Sequence, residues 1–113
     1  MECIYVPKDK QLTLKIAEEI DENSTDKLRR KIDNEITRFL PRKVIFDFSN
    51  VSFMDSAGIG MVLGRYKMSS MFGGKMFMKN VSPSVKKVFE MAGVTRIIPI
   101  IEEQGGTEIG KCI

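Results

Sequence analysis

Hydrophobic and polar residues alternate at the start of the chain in the way that short strands do. Residues 3–6 and 11–16 are rich in apolar side chains, and in the second run these alternate with polar ones. The segment between them, Pro-Lys-Asp-Lys at residues 7–10, is typical of a turn. The pattern therefore predicts an N-terminal β-hairpin.

The spacing of apolar residues then changes to three and four, which is the period of an amphipathic helix. Residues 25–40 place apolar side chains on one helical face and charged side chains on the others. Asn23 or Ser24 can cap this helix, and Pro41 ends it. The patterns downstream predict strands at residues 44–48, 75–79 and 97–101 and helices at residues 56–72 and 83–92.

The order of these elements predicts an α/β fold. Two strands are followed by three alternations of helix and strand, so crossover connections give a mixed, mostly parallel sheet of about five strands with helices packed against it. The strand at residues 44–48 is apolar nearly throughout and is placed near the middle of the sheet. With 113 residues, we expect a single domain over 1–113, in which the glycine-rich residues 102–113 form a frayed tail.

Composition narrows the class of protein. Lys and Arg number 18 against 15 Asp and Glu, and they interleave along the chain, so we expect no direct nucleic-acid partner. No apolar run reaches the roughly 20 residues of a membrane span, and the N-terminus lacks the features of a signal peptide. Cys3 and Cys112 are read as reduced thiols. We therefore expect a cytoplasmic protein without a membrane partner.

The chain contains no histidine. This excludes a Ser-His-Asp or Cys-His catalytic device and any metal site that needs a histidine. Ser56 consequently has no ordinary general base that would make it a hydrolytic nucleophile.

An acid and a hydroxyl stand where the helix at residues 56–72 begins. Asp55 and Ser56 are residue types that start helices, so the Ser56 hydroxyl is expected to be exposed beside unpaired backbone N–H groups. The simpler interpretation is a helix cap without a further role. The functional alternative is phosphorylation, which would place about −1.5 to −2 charges beside Asp55.

Three glycines, Gly58, Gly60 and Gly64, fall inside this helix. Each glycine lowers the stability of a helix by roughly 1 kcal/mol relative to alanine. We therefore expect that close packing or the approach of a partner requires them. A nucleotide-binding loop is a weak alternative, because neither the dinucleotide spacing nor a Gly-Lys-Ser/Thr sequence is present. An aspartyl-phosphate receiver centred on Asp55 lacks the acidic pair that would hold magnesium.

Sites in such sheets cluster where strands give way to helices. The loop that contains Asp21 and the loop that contains Ser56 are both connections of this kind, so the two are expected to lie side by side. Most methionines are expected to fill the core, and Met61, at three-residue spacing from Gly58 and Gly64, is the one chosen for partner contact.

Several segments together resemble the STAS-domain anti-sigma factor antagonists, most of all the sporulation antagonists of the sigma-F switch. They are VSFMDSAGIG at 51–60, LGRYK at 63–67, Gly73-Gly74 and VSPSVKKVFEMAG at 81–93. The resemblance covers roughly residues 3–101.

The resemblance implies partner switching. In this family the serine matching Ser56 is phosphorylated by an anti-sigma factor that is also an ATP-dependent serine kinase, and a PP2C-type phosphatase reverses the modification. The unmodified antagonist binds the anti-sigma factor and frees the sigma factor, whereas the phosphorylated form does not bind. The chain itself would then be no enzyme and need no cofactor, because the partner kinase uses the ATP.

The resemblance also implies a docking surface, since the loop acid matching Asp21 lies beside the serine in that family. Together with the residues chosen above, the candidate partner-binding set is Asp21, Asn23, Asp55, Ser56, Ala57, Gly58, Ile59, Gly60 and Met61. Two departures stand out, since the family usually has glycine where this chain has Glu18 and usually ends in a helix. The alternative function is a STAS module that scaffolds an assembly or senses a ligand without acting on a sigma factor.

Overall fold

The computed structural model describes residues 1–17, 20 and 23–102, which form one five-stranded sheet with helices. The order along the sheet is β1-β2-β3-β4-β5, with β1 antiparallel to β2 and all other neighbours parallel. The predicted mixed, mostly parallel sheet is confirmed. The elements are β1 (Glu2–Val6), β2 (Gln11–Lys15), α1 (Thr25–Phe39), β3 (Lys43–Asp47), α2 (Ser56–Met71), β4 (Lys75–Lys79), α3 (Pro83–Met91), a 3₁₀ turn (Val94–Arg96) and β5 (Ile100–Ile101).

One face of the sheet carries the core. Alternate residues of β2, β3 and β4, such as Leu12, Val44 and Met76, are in register and buried, because side chains two apart on a strand share a face. They pack against the apolar stripe of α1 and against α2 and α3. The ring of Phe89 on α3 lies 5.5 Å from that of Phe48, just after β3.

The two long helices end by different backbone devices. Leu40 adopts the left-handed conformation (φ 46°) after α1, and its N–H donates to the Ile36 carbonyl. Gly73 follows α2 with φ 80°, which only glycine adopts without strain. At the start of α1, Ser24 occupies the predicted cap position, but its side chain makes no capping hydrogen bond.

The predicted strand at residues 97–101 is wrong in its first half. The Ile97 N–H closes the 3₁₀ turn on the Val94 carbonyl at 3.0 Å, and the Ile98 N–H donates to the same carbonyl at 2.9 Å, so it is unavailable to the sheet. Pro99 has no N–H and only accepts, from Met78, so ladder pairing begins at Ile100. β5 is an edge strand of the described sheet, a position where a proline is tolerated.

Residues 103–113 lie outside the described part of the chain, so the predicted frayed tail and the single domain over 1–113 stay predictions. Among the residues that are described, no helix combines the length and the apolarity needed to cross a membrane.

Candidate functional site

Ser56 is the first residue of α2, and Asp55 is its N-cap. Asp55 has an extended backbone, and its Oδ1 accepts hydrogen bonds from the N–H groups of Ala57 (3.0 Å) and Gly58 (3.2 Å). An aspartate at this position satisfies donors that the helix leaves free and places a negative charge at the positive end of its dipole. The Asp55 carboxylate therefore fixes the direction in which α2 starts.

The structure corrects one expectation about Ser56. Its neighbouring N–H groups were predicted to be unpaired, but those of Ala57 and Gly58 are already bonded to Asp55. The Ser56 side chain is exposed, and within the described residues its hydroxyl has no hydrogen-bond partner. The site thus presents an exposed hydroxyl beside a carboxylate that is already hydrogen-bonded to the helix.

Gly58 is required by packing inside the chain. A Cβ at this position would lie 2.6 Å from the Met54 Cγ and 2.9 Å from the Ile20 Cγ2, which is closer than side-chain atoms approach. Ile20 and Met54 are both buried and form an isolated parallel bridge. Gly58 therefore allows α2 to pack closely against the bridge where the two strand-to-helix connections meet.

The same bridge bears on the second predicted part of the site. Because Ile20 pairs with Met54, the connection leading to α1 runs beside the connection leading to Ser56, as predicted. Asp21 and Glu18 lie outside the described residues, so their placement stays a prediction. Asn23 is exposed in the turn before α1.

Gly60 and Gly64 differ from Gly58. A Cβ added at either position would meet no atom within 4 Å in the part of the chain that the structure describes. Gly60 is exposed and Gly64 is half-buried. Since each glycine weakens a helix by roughly 1 kcal/mol, the fold itself gives no reason for these two.

Both glycines line a groove between α1 and α2, about 310 Å³ in volume. On the α2 side, the two glycines expose the helix backbone to the groove. On the α1 side, the wall of the groove consists of polar side chains. The residues around the groove are Thr25, Asp26, Arg29, Ala57, Gly60, Met61, Gly64 and Arg65. The groove starts one residue from Ser56 and continues along the first two turns of α2.

An ion pair between a buried arginine and a half-buried aspartate lies at the end of this groove. The Arg65 Nε is 2.6 Å from the Asp33 Oδ1, although the two groups are not aligned well enough for a hydrogen bond. Burial lowers the pKa of Arg65, and nearby Asp33 opposes that change while Arg29 adds to it. The pair joins α1 to α2 through charge as well as through apolar packing.

Two of the predicted contact residues are not surface residues. Gly58 is buried and Met61 is only 5% exposed within the core, so little of either residue is accessible to a partner from outside. Asp55, Ala57 and Ile59 are half-buried, and Ser56 and Gly60 are exposed.

Arg65 and its partner Asp33 were not predicted. The apolar spacing of α2 places Arg65 four residues after Met61, on the buried side, and an arginine there is a signal that an acid faces it. Among the described residues, no group of three or more Cys, Asp or Glu side chains is arranged to hold a metal ion.

Comparison with known proteins identifies a family that this chain matches. Residues 5–105 match the model of the STAS domain. The protein named anti-sigma F factor antagonist from Paenibacillus polymyxa is 33% identical over 93 residues, which cover 82% of this chain and 80% of that protein.

Two solved structures of SpoIIAA have the same fold. The unphosphorylated form of this anti-sigma factor antagonist matches with a TM-score of 0.78 and 27% identity, over 98% of this chain and 94% of its own. The phosphorylated form, described as a Bacillus cell fate determinant, matches with a TM-score of 0.70 and 26% identity, over 99% and 98%. The chain is therefore similar to a protein whose structure has been determined both with and without a phosphoryl group.

Proposed function

This chain belongs to the STAS-domain family of anti-sigma factor antagonists, and we propose that it works as a phosphorylation switch whose phosphoacceptor is the hydroxyl of Ser56. The unmodified form binds an anti-sigma factor that is also a serine kinase and so releases the sigma factor. The observation that carries the proposal is the exposed Ser56 hydroxyl at the first position of α2, which has no hydrogen-bond partner among the residues that the structure describes.

For phosphoryl transfer, this chain has only to present the Ser56 hydroxyl to the kinase. In phosphoryl transfer the Ser56 Oγ forms a bond to the terminal phosphorus of the kinase's ATP, ADP leaves, and the hydroxyl proton passes to a base on the kinase. The chain's contribution is to hold the hydroxyl in a fixed place, which the Asp55 cap and the seating of Gly58 provide. We propose accordingly that the chain is not itself an enzyme and needs no cofactor.

The groove next to Ser56 gives the kinase room to approach. Gly60 and Gly64 leave the backbone of α2 open there, and Arg29 and Asp26 supply charges on the opposite wall. A partner segment in this groove would account for two glycines that the fold does not need. The docking surface would then extend along α2 and include the α1 wall, rather than use the buried Met61 side chain.

The phosphoryl group would act through charge, without refolding. Because the Asp55 carboxylate already holds the N–H groups of Ala57 and Gly58, a phosphate on Ser56 cannot take these donors without displacing the cap. The dianion would stay on the surface beside a second negative group, where a tight partner contact would have to desolvate both. Shifting a complex from mostly bound to mostly free takes about 5.5 kcal/mol of differential affinity, part of which this repulsion supplies.

The switch also requires that the phosphate be removed from Ser56. A phosphate held at an exposed helix start is accessible to a hydrolase, and we propose a PP2C-type phosphatase in this role, with both partners in the cytoplasm. The relatives named as antagonists favour this function over a scaffold or a ligand sensor that does not act on a sigma factor.

The proposal is tested by mixing the protein with the anti-sigma kinase from the same genome, with and without ATP, and locating the phosphate by mass spectrometry. We expect one phosphate on Ser56 and none on the Ser56→Ala variant. Ser84→Ala is the matched control, since Ser84 is also an exposed serine in the first turn of a helix. Phosphorylation of Ser56→Ala at the wild-type level would refute the site, and failure to form any complex without ATP would refute the antagonist function.

A further inference from the structure

The end of the molecule opposite Ser56 gathers the loops that precede β2, β3 and β4. These strands begin in register at Gln11, Lys43 and Lys75. The N–H groups of Arg42 and Lys43 donate to the Lys10 carbonyl at 2.9 and 3.2 Å, and the Lys75 N–H donates to the Arg42 carbonyl at 2.9 Å. The three loops therefore form one continuous surface.

This surface concentrates the positive charge of the protein. Its exposed charged residues are one acid, Asp9, and five cations, Lys8, Lys10, Arg42, Lys43 and Lys75. Without them the chain's 18 Lys and Arg and 15 Asp and Glu fall to 13 and 14. Among the described residues, none of the five cations is in an ion pair.

Apolar side chains stand among these cations. Leu40 and Phe72, at the C-terminal caps of α1 and α2, are 52% and 47% exposed, and Met71, the last residue of α2, is 81% exposed. The loops that follow α1 and α2 lie close together, because a Cβ on Gly74 would lie 2.9 Å from the Pro41 carbonyl oxygen. We call the surface formed by Lys8, Lys10, Leu40, Arg42, Lys43, Met71, Phe72 and Lys75 the basic pole.

We propose that the basic pole adsorbs on an anionic lipid surface. Exposed apolar tips enter the boundary between headgroups and acyl chains, while surrounding lysines and arginines are attracted to anionic lipids. Four of the five cations are lysines, which protein–protein interfaces tend to avoid and membrane-adsorbing surfaces favour. Adsorption needs no membrane-spanning helix. It departs from the expectation of no membrane partner, which rested on the lack of an apolar run long enough to span a bilayer and of a signal peptide.

The geometry keeps the two ends of α2 independent. The helix has 16 residues, so Met71 lies about 22 Å along its axis from Ser56 at 1.5 Å per residue. A protein held by the basic pole would keep Ser56 facing away from the lipid and available to a kinase. The switch could therefore operate while the protein is adsorbed.

The test is co-sedimentation with vesicles of 60% phosphatidylcholine and 40% phosphatidylglycerol, compared with pure phosphatidylcholine. We expect binding only to the anionic vesicles, reduced at least tenfold in Lys43→Glu/Lys75→Glu and weakened in Met71→Ser/Phe72→Ser. The charge-matched control is Lys86→Glu/Lys87→Glu, two exposed lysines on α3, which should bind like wild type. Each variant is first shown to keep the wild-type thermal midpoint within a few degrees, and Lys10→Glu/Arg42→Glu takes the place of Lys43→Glu/Lys75→Glu if that pair does not.

Three results would overturn the proposal. One is no binding to anionic vesicles at low salt. Another is an equal loss in the control pair on α3, which would mean that total charge and not the basic pole decides binding. The third is binding that a DNA duplex competes away and that Met71→Ser/Phe72→Ser leaves unchanged, which would indicate a general polyanion surface.

Discussion

At the scale of single residues, the start of α2 combines two roles on neighbouring side chains. Asp55 serves the fold by capping the helix, and Ser56 is left without a partner inside the described chain. Sequence alone located both residues at a helix start. It could not show that the carboxylate occupies two N–H groups, because that depends on the extended backbone of Asp55.

The capping role predicts different effects for two substitutions of Asp55. Asp55→Ala leaves the Ala57 and Gly58 N–H groups without their acceptor, so the free energy of unfolding should fall by about 0.5–2 kcal/mol. Asp55→Asn keeps an oxygen that can cap and should stay close to wild type. Urea denaturation measures both, and equal losses in the two variants would contradict the capping role.

The glycines of α2 should respond in opposite directions. Gly58→Ala forces a Cβ against Met54 and Ile20, so the free energy of unfolding should fall by about 1–3 kcal/mol. Gly60→Ala meets open space and should raise it by up to about 1 kcal/mol, while weakening binding to the kinase. Thermal unfolding and a binding titration check the pair, and undiminished kinase binding by Gly60→Ala would show that the groove is not used.

At the scale of elements, α1 and α2 are joined by the pair of Asp33 and Arg65. The Arg65 side chain is 10% exposed and that of Asp33 is 31% exposed, so the arginine depends on its partner more than the acid does. Sequence patterns predicted both helices, but not their contact. The spacing of α2 places Arg65 on the buried side, but nothing in the sequence identifies Asp33 of α1 as the acid that faces it.

Removing the acid should therefore be costly. Asp33→Ala leaves the buried Arg65 cation unpaired and should lower the free energy of unfolding by about 2–3 kcal/mol. The control is Asp26→Ala, which removes an exposed pair with Arg29 on the same helix and should cost under about 0.5 kcal/mol. Equal effects in denaturant titrations would mean that the Asp33 pair contributes no more than a surface pair.

At the scale of the whole molecule, the carboxyl ends of β3 and β4 are tied together by Asp47. Its Oδ1 accepts hydrogen bonds from the Ser49 N–H (2.9 Å) and the Asn80 Nδ2 (3.1 Å). Burial by itself raises the pKa of Asp47, but these hydrogen bonds and the charge of Lys79 outweigh it and hold the pKa below its ordinary value.

This shift predicts how stability depends on pH. A carboxylate whose pKa is lower in the folded state stabilises the protein above its unfolded pKa of about 3.9, and the effect is lost as pH falls through the lower folded value. Asp47→Ala should thus cost about 1–3 kcal/mol at pH 7, and progressively less as pH drops below about 4. The free energy of unfolding of Asp9→Ala, in an exposed turn, should differ from that of wild type by under about 0.5 kcal/mol both at pH 7 and below about pH 4. A penalty for Asp47→Ala that stays constant down to pH 2 would contradict the charged role.

Local patterns predicted most of the fold because they coincide with the tertiary arrangement. The apolar run of β3 indicated its central position, and Ser82 with Pro83 marked the start of α3 correctly. They failed where backbone geometry decides, as at Ile98, whose N–H is used in a turn. They also failed where the fold gathers distant residues, as with Lys10, Arg42 and Lys75.

The most direct test of the central claim is the affinity of the anti-sigma kinase for this protein with and without a phosphate on Ser56, measured by calorimetric titration in the presence of ADP. The switch predicts that phosphorylation weakens binding by well over tenfold, with a smaller loss for Ser56→Asp and none for Ser84→Asp. Equally tight binding of the phosphorylated and unmodified proteins would contradict it.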